Sequence, residues 1–330
     1  MRLKRIRRDQ LALRRVRRGR GHVLVADDGS ILREPELVAR IKALGIPPAW
    51  QDVRVAHEPH AHIQACGTDA AGRIQYIYHG EWTVRRDRKK TRQLMALSEA
   101  LPRIRRAVQR DLQAEAGSRL LAIAIGVALI DRTAMRVGRE RYLATNGTRG
   151  AGTLYCRDVN VNGEEVCVTF PAKSGKTATY CFTDARLSAA IASILAIPGK
   201  RLLQWRDAEG KVHALNTSQI NAYLREASGV PVTAKDFRTL HASAMAGEVL
   251  AAMEPATAER GRKKQMAEAT RQVASFLQNT PAVCRASYIA PCLFTLFERG
   301  RLARLWTGET IARGGLRIRE ARLAAVLGAV

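Results

Sequence analysis

What this chain lacks narrows its class before any motif is read. No apolar run approaches the roughly 20 residues that a membrane-spanning helix needs. The longest, Leu120 to Ile130, falls far short, so a transmembrane helix is excluded. Cysteine is sparse: Cys66, Cys156, Cys167, Cys181, Cys284 and Cys292 form no C-x-x-C pair and have no histidine at metal-ligand spacing. A zinc module has little to support it. With no secretory apolar segment either, the expectation is free thiols in a reducing cytosol. No carboxylates stand at a spacing that suggests a paired Mg²⁺ site, so neither a metal nor a cofactor is expected. Gly175-Lys176-Thr177 has the ending of a phosphate-binding P-loop. Phe170, however, stands where G-x-x-x-x-G-K-[ST] requires glycine.

Acid is scarce too. The 330 residues hold 55 Lys plus Arg against 30 Asp plus Glu, a formal net charge of +25. A hydrophobic content of 46% still leaves enough apolar material for a core, which excludes wholesale disorder. Such a surface calls for a polyanionic partner. Nucleic acid comes first, because neutralised phosphates release condensed counterions; an anionic membrane surface is the rival. The first twenty-one residues carry ten basic side chains and one acid, Asp9, and read as an arm that tracks phosphates. The expected location is the cytoplasm.

The expected fold class is α+β: a small N-terminal β-containing module over 1–85, then a larger, mainly α-helical domain over 86–330 with an inserted small antiparallel sheet. Pro35 to Leu44 has helical spacing, with proline at the first position and Gly45 just past the end. His62–Cys66 and Arg73–Tyr78 read as two strands around a turn-rich stretch. The basic segment Arg85-Arg86-Asp87-Arg88-Lys89-Lys90 marks the boundary. Helical spacing follows over 90–114 and 117–135, and again over 184–195, 217–226, 235–250 and 257–278. From Gly152 to Thr183 the pattern alternates, with Asn162-Gly163 as a hairpin turn.

Against this background stands a series of cations in turn or helix-start positions. Arg136 lies in Met135-Arg136-Val137-Gly138, Lys173 in Lys173-Ser174-Gly175-Lys176, and Arg238 in Lys235-Asp236-Phe237-Arg238-Thr239. Asn279-Thr280-Pro281 then leads to Ser287-Tyr288-Ile289. Together with Ile46-Pro47-Pro48-Ala49-Trp50 and Gly72-Arg73-Ile74-Gln75-Tyr76-Ile77-Tyr78, these six segments run in order over some 240 residues. In this the chain resembles type IB DNA topoisomerases of the compact bacterial and poxvirus branch, and the catalytic fold shared with tyrosine recombinases.

The resemblance implies a tyrosine nucleophile, Tyr288, which forms a 3′-phosphotyrosyl bond and relaxes supercoils of either sign without ATP. It matches Arg136 and Arg238 to the arginines on the non-bridging oxygens, Lys173 to the proton donor of the departing 5′-oxygen, and Asn279 to a phosphate donor. Gln75, Tyr76 and Tyr78 match DNA-contacting positions, and Lys235, Arg139 and Tyr142 are placed near the site; Arg86, apart from the resemblance, is a candidate phosphate contact in the basic segment, where a solvated charged face is the other reading. The implied partner is double-stranded DNA, clamped by a monomer, with no membrane and no nucleotide. The chemistry agrees. Phosphoryl transfer without a metal needs protein cations on the equatorial oxygens, and a guanidinium fork fits two at once. A 5′-alkoxide needs a proton as it leaves.

Some positions depart from the pattern. Gln278 stands where bacterial relatives usually have glycine, and Ala290-Pro291 where His or Asp is commoner; His241 has no assigned role. The alternatives are a tyrosine recombinase and a non-catalytic DNA-binding protein. Recombinases usually carry H-x-x-R around the second arginine, and no H-x-x-R occurs in this chain.

Overall fold

A computed structural model describes residues 2–19, 21–308 and 316–329, and of Ser174 the backbone alone. The chain divides into two compact units, Met1–Lys89 and Lys90–Val330.

The N-terminal unit is built on β1 (Leu13–Arg18), β2 (Gly21–Val25), β3 (Ile31–Leu32), α1 (Pro35–Ala43), β4 (Gln51–Val55), β5 (Ile63–Thr68) and β6 (Ile74–Tyr78). The strands form one antiparallel sheet in the order β3-β2-β1-β4-β5-β6. Two strands are legible in the sequence, and the sheet has six. The Arg-rich start is the largest departure from expectation, since it is β1, paired on both sides, and not a loose arm. Strand alternation turns Leu13 into the core with Val55, Ala65 and Ile77, where Leu37 and Ile41 of α1 pack. On the same side Arg15 donates to the carbonyls of Ile46, Pro47 and Trp50 at 2.9–3.1 Å. That arginine satisfies the α1–β4 connection, which gives the Ile46–Trp50 segment a structural role.

α2 (Gly80–Asp111) is one continuous helix, and the division at Lys89/Lys90 falls inside it. The basic segment expected as a boundary is therefore helical. α3 (Arg119–Thr133) is apolar nearly all round and buried from Leu121 to Val127 and again at Leu129 and Ile130, as a core helix must be. α4 (Glu140–Asn146) precedes a three-stranded sheet of β7 (Val159–Asn162), β8 (Glu165–Pro171) and β9 (Thr177–Thr183) in sequential order. Then come α5 (Ala185–Leu195), the hairpin β10 (Gln204–Arg206) and β11 (Val212–Ala214), α6 (Thr217–Ser228), α7 (Ala234–Ala251) and α8 (Glu259–Phe276). The last four elements are α9 (Pro281–Ser287), α10 (Pro291–Glu298), α11 (Leu302–Thr307) and α12 (Ile318–Gly328). No helix among the described residues is long and apolar enough to cross a membrane.

Two details correct the sequence reading. Cys167 and Cys181 are not free thiols: the β8–β9 register sets them directly opposite and they form a disulfide. The β7–β8 turn is Gly163-Glu164, one residue later than expected, because Asn162 still pairs with Glu165.

α7 is the central helix of this unit and packs against α3, α6, α8, α10, α11 and α12. A buried ion cluster fixes its surroundings. Arg105 of α2 binds Asp131 of α3 and Glu320 of α12, each at 2.8 Å. His241 of α7 approaches the Asp131 carbonyl with Nε2 at 2.7 Å. Burial opposes ionisation of Asp131, but Arg105 outweighs it and holds the carboxyl below the usual range.

Candidate active site

The residues of the K-D-F-R segment have separate duties at the start of α7. Asp236 accepts from the Thr233 amide at 2.8 Å and so closes the helix N-terminus. Phe237 is fully buried core. Lys235 and Arg238, three residues apart, both face Tyr288. The Lys235 ammonium lies 5.8 Å from the centre of the phenol ring and the Arg238 guanidinium 5.1 Å from it.

Arg238 is 3% exposed and has no carboxylate partner among the described residues. Its charge is met by the ends of two helices. Nη1 donates to the Ala134 carbonyl beyond α3, and Nη2 donates to the Leu277 carbonyl beyond α8 at 2.9 Å. Helix C-termini carry unpaired carbonyls and partial negative charge, so they suit a buried cation. Its Nε makes no hydrogen bond within the described residues.

The same two helix ends lead into the other site segments. Just past Ala134, Arg136 is half-buried and donates to the Gln278 carbonyl at 3.4 Å. Burial and then the neighbouring charge of Arg238 depress its pKa, while Tyr288, Tyr180 and Cys284 act in the opposite sense. The turn through Arg136 depends on Gly138 and Gly150. A Cβ on Gly150 would collide with the Arg136 carbonyl, and one on Gly138, at φ 78°, with Thr153.

Past Leu277, Gln278 adopts φ 49°, a left-handed conformation that glycine accepts at less cost. Asn279 is half-buried, and Thr280 caps α9 with Pro281 at its first turn. Tyr288 ends α9, half-buried. Ser243 of α7, fully buried, holds that corner: its hydroxyl donates to the Tyr288 carbonyl at 3.2 Å and accepts from the Ala290 amide at 3.0 Å. A buried Ala290 fits this tight turn.

Arg136, Arg238, Lys235 and Tyr288 are thus brought together, with Asn279 on the adjoining turn. Lys173 is placed differently, exposed on the short turn between β8 and β9 with no hydrogen bond or ion pair to a described residue. That turn joins two strands, so the Gly175-Lys176-Thr177 resemblance to a P-loop has no helix to support it. Tyr142 of α4 is exposed. Arg141 donates to its hydroxyl at 2.6 Å and lowers its pKa, with smaller contributions from Arg139 and Lys173. Arg139 is exposed at the start of α4.

In the N-terminal unit, Tyr76 and Tyr78 share one face of β6 with ring centres 6.0 Å apart, and Arg86 covers Tyr78 at 5.3 Å. Gln75 lies on the other face, and its amide donates to Asp69 at 2.9 Å.

Sequence reasoning missed Ser243 and Tyr180. The first is a small polar residue in an apolar helix, which carries no motif. The second is half-buried on β9, and burial raises its phenol pKa while Arg238 and Arg136 oppose that rise. One cluster has metal-ligand chemistry among the described residues, Asp131, His241 and Glu320. Arg105 and Arg317 already pair with both carboxylates there.

The larger unit is helical with an inserted sheet, and it sets a tyrosine ring beside one buried arginine and one half-buried arginine. Comparisons with known proteins supply the class. Residues 79–290 match the family model for the eukaryotic DNA topoisomerase I catalytic core, and residues 21–69 match that for the bacterial DNA topoisomerase IB N-terminal domain. The DNA topoisomerase 1B of Acanthamoeba polyphaga mimivirus is 29% identical over 268 residues, which cover 79% of this chain and 80% of that protein. The chain belongs to the type IB DNA topoisomerase family, whose members are isomerases acting on DNA.

Proposed function

We propose that Tyr288 is the nucleophile of a cleavage and resealing cycle that relaxes positive and negative supercoils in duplex DNA. The observation that carries this reading is the pairing of Arg136 with Arg238 beside the Tyr288 ring, with no carboxylate among the described residues paired to either. Two adjacent guanidiniums repel each other until an anion lies between them. A phosphodiester supplies that anion, and its transition state supplies more charge still.

In the forward step the Tyr288 Oη–P bond forms and the P–O5′ bond breaks. The phenol gives its proton to solvent water as it attacks, and Lys173 Nζ gives a proton to the departing O5′ and is reprotonated from solvent. Arg136 and Arg238 hold the two non-bridging oxygens. Asn279 adds one neutral hydrogen bond, worth less than either arginine. The phosphotyrosyl bond conserves the energy of the broken phosphodiester, so resealing by O5′ reverses the step without ATP. Protein cations occupy the place a metal would take, so none is required.

Tyr76 and Tyr78 present an aromatic face to the DNA. Gln75 keeps its carbonyl oxygen and one N–H for a base edge, while Lys235, Arg139, Tyr142 and Arg86 contact the backbone around the cleaved phosphate. The chain works as a monomer on double-stranded DNA.

The test is relaxation of supercoiled plasmid in EDTA without ATP. The wild type is expected to give a ladder of partly relaxed topoisomers, and Tyr288→Phe none. DNA binding by the wild type with no relaxation would reject the mechanism.

A further inference from the structure

The N-terminal sheet leaves one charge arrangement unresolved. Its register lines up Val25, Arg14, Arg54, Cys66 and Tyr76 as one row across β2, β1, β4, β5 and β6. This row lies on the side opposite Leu13, Val55, Ala65 and Ile77, which face the core. Arg14 and Arg54 therefore stand directly opposite each other on neighbouring strands. Like charges in that position destabilise an antiparallel pair. Neither guanidinium has a hydrogen bond or an ion pair with any described residue, whereas Arg15, next in sequence and on the other face, makes three. On this side Val16 is 43% exposed, Ile74 45% and Tyr76 38%, while Cys66, between Arg54 and Tyr76 in the row, is fully buried in a small cluster with Leu11, Ala56, Ala61 and Ile63.

Strands lie about 4.8 Å apart, so Arg54 is roughly 10 Å and Arg14 roughly 14 Å from Tyr76 along the row. The major groove of B-DNA is about 12 Å wide. A sheet face that sets Tyr76 at base edges in the groove brings the arginine pair to the phosphodiester strand bordering it. We propose that Arg14 and Arg54 together grip a stretch of DNA backbone, a second contact strip on the N-terminal sheet beside Tyr76 and Tyr78. The bound phosphates remove the repulsion that the fold tolerates, and each arginine displaces about one condensed counterion. This inference rests on the duplex-DNA reading above.

The experiment measures binding of the full-length chain to a short duplex between about 50 and 200 mM salt. Arg14→Gln/Arg54→Gln is expected to bind more weakly and to reduce the slope of log K against log salt by about 2, close to 0.9 per phosphate. Arg14→Lys/Arg54→Lys keeps the slope. An unchanged slope in a glutamine double variant that melts like the wild type overturns the proposal. Loss of binding to anionic phospholipid vesicles with the DNA slope unchanged overturns it as well, in favour of a membrane surface. If the double variant melts early, Arg14→Gln alone is measured, because that side chain is exposed; its slope must fall by about 1. Plasmid relaxation by the wild type separates the two readings. A wild type that relaxes DNA with the slope unaltered in the variants rejects this inference only, and a wild type that does not relax DNA rejects the function itself.

Discussion

Arg238 and Lys173 are proposed to act on the same phosphodiester, yet the protein builds their surroundings in opposite ways. Arg238 is 3% exposed and its guanidinium is tied to the ends of two helices. Lys173 projects from an exposed hairpin turn and is tied to nothing described. The difference follows from the two jobs. Stabilising charge in a transition state works best with dipoles and cations already fixed, because no reorganisation is then needed during reaction. Delivering a proton needs a group that can reach the leaving oxygen, and a hairpin tip permits that movement.

The sharpest way to break this comparison is Arg238→Ala. Two backbone carbonyls lose hydrogen bonds from a charged donor, each worth about 1.5–3 kcal/mol. Stability should therefore fall by about 3 kcal/mol or more, and single-turnover cleavage by at least about 10²-fold. Arg238→Lys should restore little of either, since one ammonium cannot replace a fork that reaches two helix ends. A variant that melts like the wild type would mean that the helix ends do not depend on this side chain.

Lys173→Ala should cost about 10²–10⁴-fold in cleavage with no change in melting temperature. Replacing the 5′-bridging oxygen of the substrate by sulfur makes a leaving group that needs no proton. That substrate should recover most of the Lys173→Ala loss and little of the Arg238→Ala loss. Equal recovery in both would erase the distinction between the two cations.

The hairpin beneath Lys173 has its own fastening. Cys167–Cys181 joins β8 to β9 across a sequence separation of 14, a loop for which the chain-entropy model gives about 3 kcal/mol. Cys167→Ser/Cys181→Ser should lower the melting temperature by a corresponding amount or less, while the Arg238 centre keeps its geometry. A dithiol reductant should bring the wild type down to the level of the variant and leave the variant unmoved. If the wild type melts identically with and without reductant, the hairpin does not depend on that bond.

These elements also show what a sequence can disclose. The K-D-F-R and N-T-P segments are legible because each residue has a local duty: Asp236 closes a helix, Phe237 fills the core, and Thr280 and Pro281 start α9. The helices of the larger unit are legible from their apolar spacing. β1 is not, because its inward residue, Leu13, is followed by arginines that resemble a disordered basic tail. Arg15 becomes structural only when a loop distant in sequence supplies carbonyls. Pairing of Cys167 with Cys181 depends on strand register, which composition does not reveal. Gln278 is a partial case: the departure from glycine is visible in the sequence, and its meaning, a residue at φ 49°, is visible in the structure alone.

The smallest expected effect concerns the support behind Arg238. His241 lies three residues further along α7, and its bond to Asp131 fixes the last turn of α3, just before the carbonyl that Arg238 holds. Burial lowers the His241 pKa from its ordinary value near 6.5; Asp131 and Glu320 oppose this, and Arg317 adds to it. The unfolded chain then binds a proton more readily than the folded one. The resulting stability is present above about pH 6.5 and is lost as pH falls toward the folded value. Asp131, held low by Arg105 against the effect of burial, contributes stability that is lost only further down, as pH falls below the ordinary carboxylate range. His241→Gln keeps a donor to the Asp131 carbonyl and removes the upper stage, so its urea midpoint should decline less than that of the wild type between pH 7.5 and 5. His62 of the N-terminal unit, also depressed by burial and by Arg5, leaves part of that decline in place. An undiminished decline in His241→Gln would show that protonation of this helix contact does not govern the rigidity of the arginine centre.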